Sequence, residues 1–440
     1  MVPKCLKLFA PGLFLTSILV VFSACGETVE SVCELGEEAA CSCLTGEGIG
    51  VETCLLDGTG WGSCECEDST DALEPAPMDD PSEPADPSEP EQTLNYLSRI
   101  ENRLVDANGN QVRLTGINWF GFETSTFLPH GLWQRSHESM LSQIVEMGFN
   151  SIRLPWCNDM LRSTAPLDTV DSELMGKTPL EAMDSIIETA GELGLKIILD
   201  NHSRQVDGYL EEGLWYTESV SEEDWISDWE MMAQRYAGND TVVAFDLNNE
   251  PHYEAAWGTG DSALDWNKAA ERCANAVHAL NPDVLIMVEG VENVGGDYYW
   301  WGGNLKGVRT APLAINRMDK LVYSAHEYGP EVYMQPWFSD PSFPENMASI
   351  WDDHFGFVMS EGIGHVLIGE FGIRDRASND GLMGLWFDNF LEYMSTDYSW
   401  TFWCLNPNSP DTGGILQDDW VSVEQWKLDA LEPYLAPLIE

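Results

Sequence analysis

VVAFDLNNEPH, residues 242 to 252, is a short apolar, β-branched run that ends abruptly in polar residues, with Glu250 placed directly before Pro251. Such a run reads as a strand buried on both faces, and the residue before a proline is driven out of helical geometry. Glu250 therefore stands where a strand stops and the chain turns. A carboxylate there lies at the face where parallel barrels keep their chemistry, although one glutamate alone serves equally well as a cap or a solvated turn residue. VLIGEFG, residues 366 to 372, repeats the layout: an apolar run, then Glu370, then an aromatic residue and a glycine. Two acids ending two buried strands turn a local feature into a pattern.

Working outward, apolar strand-like runs fall at 114–118, 151–154, 196–200, 242–247, 284–288, 321–325, 366–369 and 400–403. Helical periodicity at 137–147, 180–193, 223–236, 264–280, 345–361 and 382–395 separates most of them. Eight strands in alternation with helices predict a (β/α)8 barrel over residues 94–440. DANGN at 106–110 lies between two alternating runs and predicts a hairpin at its start. No glycine-rich phosphate loop follows the first strand, which argues against a dinucleotide-binding sheet.

The residues ahead of this domain have other characters. Lys4 and Lys7 precede an apolar core and Ser23-Ala24-Cys25, so residues 1–25 read as an export signal. Its end resembles the lipobox of bacterial lipoproteins, in which Cys25 would be acylated; Phe22 replaces the usual aliphatic residue, and simple cleavage with release is the alternative. Residues 26–66 hold Cys33, Cys41, Cys43, Cys54, Cys64 and Cys66, an even set that predicts a disulfide-held bead; the Cys-x-Cys pairs and the lack of a nearby histidine disfavour zinc. Residues 67–93 are acidic and proline-rich, a tether able to reach about 80 Å. The predicted location is the cell surface or the extracellular space.

The formal charge is −53, and 19 of the 74 acids but none of the 21 bases lie between residues 26 and 92. Such a surface repels phosphate backbones and anionic lipid, which argues against nucleic acid as a partner and leaves a neutral polysaccharide unaffected.

Polar residues gather at one end of the predicted strands: Arg153, His202, Asn249 with Glu250, His326 with Tyr328, Glu370, and Trp403. Two carboxylates across a barrel mouth suit glycoside hydrolysis, one donating a proton to the leaving oxygen and the other attacking the anomeric carbon. Arg153 and Tyr328 are placed to hold Glu370 ionised, His326 to orient Glu250, and Asn249 to bond the sugar 2-hydroxyl. Sugar rings stack on indoles, and Trp119, Trp156, Trp215, Trp257, Trp300, Trp301 and Trp403 fall at or beyond strand ends. About half are expected to face the cleft, Trp403 and Trp301 first, with Trp119 among the binding residues. No metal motif and no Gly-x-Ser-x-Gly elbow is present, so neither a metal nor a cofactor is expected. Cys157, Cys273 and Cys404 form an odd set in the barrel, so at least one is free or paired outside it.

The motifs LTGINWFGFET (114–124), SIRLPW (151–156), DNHSR (200–204), DLNNEPH (246–252), AHEYGP (325–330), GEFG (369–372) and WTFWCLNP (400–407) resemble glycoside hydrolase family 5, closest to its bacterial cellulase branch. The resemblance covers roughly residue 100 to the C-terminus. It implies a retaining endo-β-1,4-glucanase acting on a β-1,4-glucan. Glu250 would be its acid/base and Glu370 its nucleophile, with Arg153, His202, Asn249, His326, Tyr328 and Trp403 around them. Ser203 departs from the basic residue often found after that histidine, and GGILQDDW (413–420) resembles the branch's last active-site loop. A β-mannanase or mixed-linkage glucanase on the same scaffold remains open, as does a polysaccharide-binding protein without turnover. The protein is expected to be a monomer.

Overall fold

In the computed structural model the described residues are 38–42, 49–53 and 94–439. The chain divides into two units, Met1–Pro90 and Glu91–Glu440. In the first, strands Glu38–Ser42 and Ile49–Thr53 pair antiparallel, with Glu38 opposite Thr53. The export signal with Cys25, the acidic tether and the cysteine pairing of the bead lie outside the described residues.

In the second unit eight strands close a parallel barrel in sequence order. They are β1 (Thr115–Asn118), β2 (Ser151–Cys157), β3 (Lys196–Ser203), β4 (Val242–Asp246), β5 (Leu285–Glu289), β6 (Leu321–His326), β7 (His365–Glu370) and β8 (Ser399–Phe402). Every residue of all eight is buried. This explains the near-continuous apolar runs, since a barrel strand has a core on each face.

Alternation along the strands sorts side chains into two cores. Ile198, Val243, Leu285, Met287, Val322 and Leu367 fill the barrel interior with Leu97 and Leu104. Ile197, Leu199, Phe245, Ile286, Val288, Tyr323 and Ile368 point outward into the helix layer. Leu97 and Leu104 flank or belong to a three-stranded antiparallel sheet, Ser98–Ile100, Arg103–Val105 and Gln111–Val112, in which the predicted hairpin at 106–110 joins the last two strands. The Arg99 guanidinium donates to the carbonyl of Leu321, the first residue of β6, so this sheet closes the N-terminal end of the barrel. The other end is left for function.

The helices start on sequence-encoded caps. Thr178 and Glu181 form a capping box ahead of Pro179–Glu192, and Ser221 with Asp224 does the same for Glu222–Arg235. One helical expectation is corrected. Residues 345–361 are not one regular helix but Met347–Trp351, a π-turn at Asp352–Gly356 and Phe357–Ser360. Gly356 lies hard against the Tyr393 hydroxyl, where a Cβ would come within 2.0 Å, and that hydroxyl bonds Asp352. The π-turn thus falls where Gly356 meets Tyr393 of the helix Leu382–Met394.

Candidate active site

At the C-terminal ends of the strands the interior changes from apolar to charged. Arg153, fully buried on β2, is the hub. It donates to Glu370 Oε1 at 2.7 Å, Asp246 Oδ2 at 3.0 Å, Asn249 Oδ1 at 2.9 Å and Glu289 Oε1 at 3.2 Å, and lies 3.1 Å from Asp200 Oδ1. Burial opposes the guanidinium charge, but the four surrounding carboxylates outweigh it and hold Arg153 well above its ordinary range.

Burial and the neighbouring Glu289 push Asp246 well above the usual carboxylate range, against the lowering effect of Arg153. Asp200 is also buried, but Arg153 and then His202 outweigh burial and lower it. His202 bonds Asp200 through Nδ1 at 2.6 Å. Burial opposes its charge, yet Asp200 raises it to about 8.

Glu370, the last residue of β7, is held at both oxygens. Arg153 takes Oε1, and the Tyr328 hydroxyl donates to Oε2 at 2.6 Å. Burial and then Glu370 hold Tyr328 far above its ordinary range, so it acts as a donor. Glu250 lies past the end of β4, part exposed, and His326 Nδ1 meets its Oε1 at 3.0 Å. His326 Nε2 lies 3.2 Å from Glu289 Oε1, as an ion pair rather than a well-aligned hydrogen bond. Burial opposes the imidazolium, but Glu289 and then Glu370 outweigh it and hold His326 well above its ordinary range. One oxygen of Glu250, one of Glu370 and a His326 nitrogen lie within 4.8 Å of one another.

Among the described residues, two groups have donor atoms close enough to surround a cation: Glu250, His326 and Glu370, and, elsewhere, Asp297, Asp353 and His354. In the first, the His326 imidazole itself lies against both carboxylates, 3.0 Å from Glu250 Oε1 and 3.7 Å from Glu370 Oε2. In the second, the Lys306 ammonium already pairs with Asp297 and Asp353. The donors in both places are matched by protein cations.

Of the residues singled out from sequence, Arg153, His202, Asn249, Glu250, His326, Tyr328 and Glu370 share this one network. Trp403, half-buried just past β8, lies parallel to the His202 ring at 5.6 Å and to Phe120 at 5.6 Å. Trp301, also half-buried, stacks on His252 at 3.7 Å. Trp119 is corrected: it is fully buried, and its indole N–H donates to the His130 carbonyl at 2.9 Å. Alternation is the cause, because Asn118 turns inward to Arg153, sending Ile117 and Trp119 out to the helix layer. Trp156, Trp215, Trp257 and Trp300 are buried as well, so two of the seven indoles, not about half, remain partly open. Cys157, Cys273 and Cys404 are all free and buried.

Sequence reading did not select Asn118, Asp200, Asp246 or Glu289, which complete the network around Arg153. A signal existed for Glu289: like the two selected glutamates, it ends a buried apolar strand. Asp200 sits two residues before His202, on the same face of a strand.

A parallel barrel with two glutamates within reach of one another, one held by arginine and a phenol and the other by an imidazolium, defines a glycoside hydrolase. The chain belongs to the cellulase family, glycosyl hydrolase family 5, whose model matches residues 105–409. It is 44% identical over 348 residues to an endoglucanase of Paenibacillus polymyxa, covering 77% of this chain and 86% of that one. It is 40% identical to the major extracellular endoglucanase of Xanthomonas campestris pv. campestris, covering 77% and 70%. A solved complex of Pyrococcus horikoshii endocellulase with cellotetraose superposes with a TM-score of 0.74 at 37% identity, covering 78% of this chain and all of that one.

Proposed function

We propose that this enzyme is a retaining endo-β-1,4-glucanase in which Glu370 is the nucleophile and Glu250 the acid/base. The observation that carries the reading is the short gap between the two side chains, with oxygens within 4.8 Å. Retaining enzymes keep their carboxyls about 5–5.5 Å apart, whereas inverting enzymes need about 6.5–9.5 Å to admit a water between acid and base.

In the first step Glu370 attacks the anomeric carbon while Glu250 gives its proton to the departing glycosidic oxygen. Arg153 and Tyr328 orient the attacking carboxylate. In the second step Glu250 takes a proton from water, whose oxygen attacks the same carbon and releases Glu370. Asn249 spends its carbonyl oxygen on Arg153, which leaves its amide nitrogen to donate to the sugar 2-hydroxyl. Trp403 and Trp301 offer ring faces for stacking. The cellotetraose held by the Pyrococcus relative supports a β-1,4-glucan as substrate.

Reducing-sugar release from carboxymethyl-cellulose, mannan and mixed-linkage glucan, measured side by side, tests this. The β-1,4-glucan is expected to be cleaved fastest, and a preference for mannan overturns the substrate assignment. Export follows from the leader-like first 25 residues, with acylated Cys25 as the anchor. Lipid labelling that is unchanged in Cys25→Ser would remove the anchor.

A further inference from the structure

We propose that Glu289 is a positioning residue for the acid/base step, holding Glu250 through its backbone and through His326. This rests on the reading of Glu250 as the acid/base. Glu289 ends β5, is fully buried, and makes three contacts through its carboxylate. Its Oε2 accepts the Glu250 backbone N–H at 2.8 Å; its Oε1 pairs with His326 Nε2 at 3.2 Å and accepts from Arg153 at 3.2 Å.

The backbone contact matters because Glu250 has φ +47°, a left-handed conformation that a glutamate keeps only where its surroundings impose it. Glu289 fixes the amide side of that residue. On the other side the Glu250 carbonyl accepts from His252 Nδ1, whose ring is stacked under Trp301. The side-chain contact works through His326, which bonds the Glu250 carboxyl with one nitrogen and faces Glu289 with the other.

Arg153 decides which of the two glutamates depends on Glu289. It keeps Asp200, Asp246 and Glu370 as carboxylate partners if Glu289 is neutralised, and Glu289 shares the longest of its four contacts. His326 Nε2, among the described residues, pairs with no other carboxylate. Neutralising Glu289 therefore loosens Glu250 far more than Glu370.

Gly302 is fitted to the same bracket. It has φ +67°, and a Cβ there would come within 2.1 Å of Glu289 Oε2. Its carbonyl accepts the N–H of Gly290, the residue after Glu289. Gly302→Ala would press on the Glu289 carboxylate without changing any charge, and its Cβ would also come within 3.3 Å of the Glu250 Cα.

The test compares kcat/KM for cellopentaose, whose leaving group needs a proton, with kcat/KM for 2,4-dinitrophenyl β-cellobioside, whose leaving group does not. Glu289→Gln is expected to lose about 10- to 100-fold on cellopentaose, part of the roughly 10²–10⁴-fold that acid assistance supplies, and less than about threefold on the aryl glycoside. Gly302→Ala should give the same split. Equal losses on both substrates, or no loss on either, overturn the proposal. Glu250→Gln run alongside separates the two readings. No split there overturns the acid/base assignment and this proposal with it; a split there but not in Glu289→Gln overturns this proposal alone.

Discussion

Glu327, between His326 and Tyr328, gives a stability prediction with a definite sign. Its side chain is fully buried, accepts from the Tyr299 hydroxyl and from Trp386 Nε1, and faces the indoles of Trp300 and Trp351. Burial pushes it up to about 7 from an ordinary 4.5, against the lowering effect of these donors. Between those two pH values the folded state holds a proton that the unfolded chain has released. Stability therefore falls as pH rises through this window, by about 3 kcal/mol at 1.36 kcal/mol per pH unit, and Glu327 adds no slope above it. Glu327→Gln removes the titration but sets an amide NH2 among donors, costing about 1–2 kcal/mol at every pH. At pH 4.5 the wild type should be the more stable, and by pH 8 the variant should equal or exceed it. Glu123, also pushed by burial to about 7, titrates in both proteins and cancels in the difference. Denaturant midpoints at pH 4.5, 6 and 8 measure this. A stability difference that stays constant across the series refutes the reasoning.

Arg153→Met leaves the buried carboxyls around it without their central cation; a stability loss of about 3–5 kcal/mol is expected, with turnover falling in parallel, and a fully active variant with unchanged Tm contradicts the hub role. Trp301→Ala should raise KM for cellopentaose several-fold with little change in Tm, whereas Trp119→Ala should lower Tm by creating a core cavity, since a buried aromatic truncation costs about 3–5 kcal/mol. The reverse ordering of the two tryptophans contradicts their placement.

The contrast between those indoles shows where sequence reading succeeds and where it stops. All eight barrel strands are legible within about three residues, because a strand with a core on both faces writes its burial into every position. Glu250 and Glu370 stand out because each is a charge ending such a run. Indoles carry no comparable mark: Trp119 directly follows a strand end and Trp301 lies in a loop after Trp300, and only the inward turn of Asn118 decides that Trp119 is core. The π-turn at Asp352–Gly356 packs against the Tyr393 hydroxyl, far along the chain. Asp246 reads as an ordinary acid until Arg153 is seen beside it.

The central claim is that Glu370 forms a covalent bond to the sugar. Incubation with 2,4-dinitrophenyl 2-deoxy-2-fluoro-β-cellobioside, followed by peptic digestion and mass spectrometry, measures it directly. The account predicts one fluorocellobiosyl group, carried on the peptide containing Glu370 and absent from Glu370→Gln. Release of the aryl group with no labelled peptide, or a label on Glu250, would contradict it.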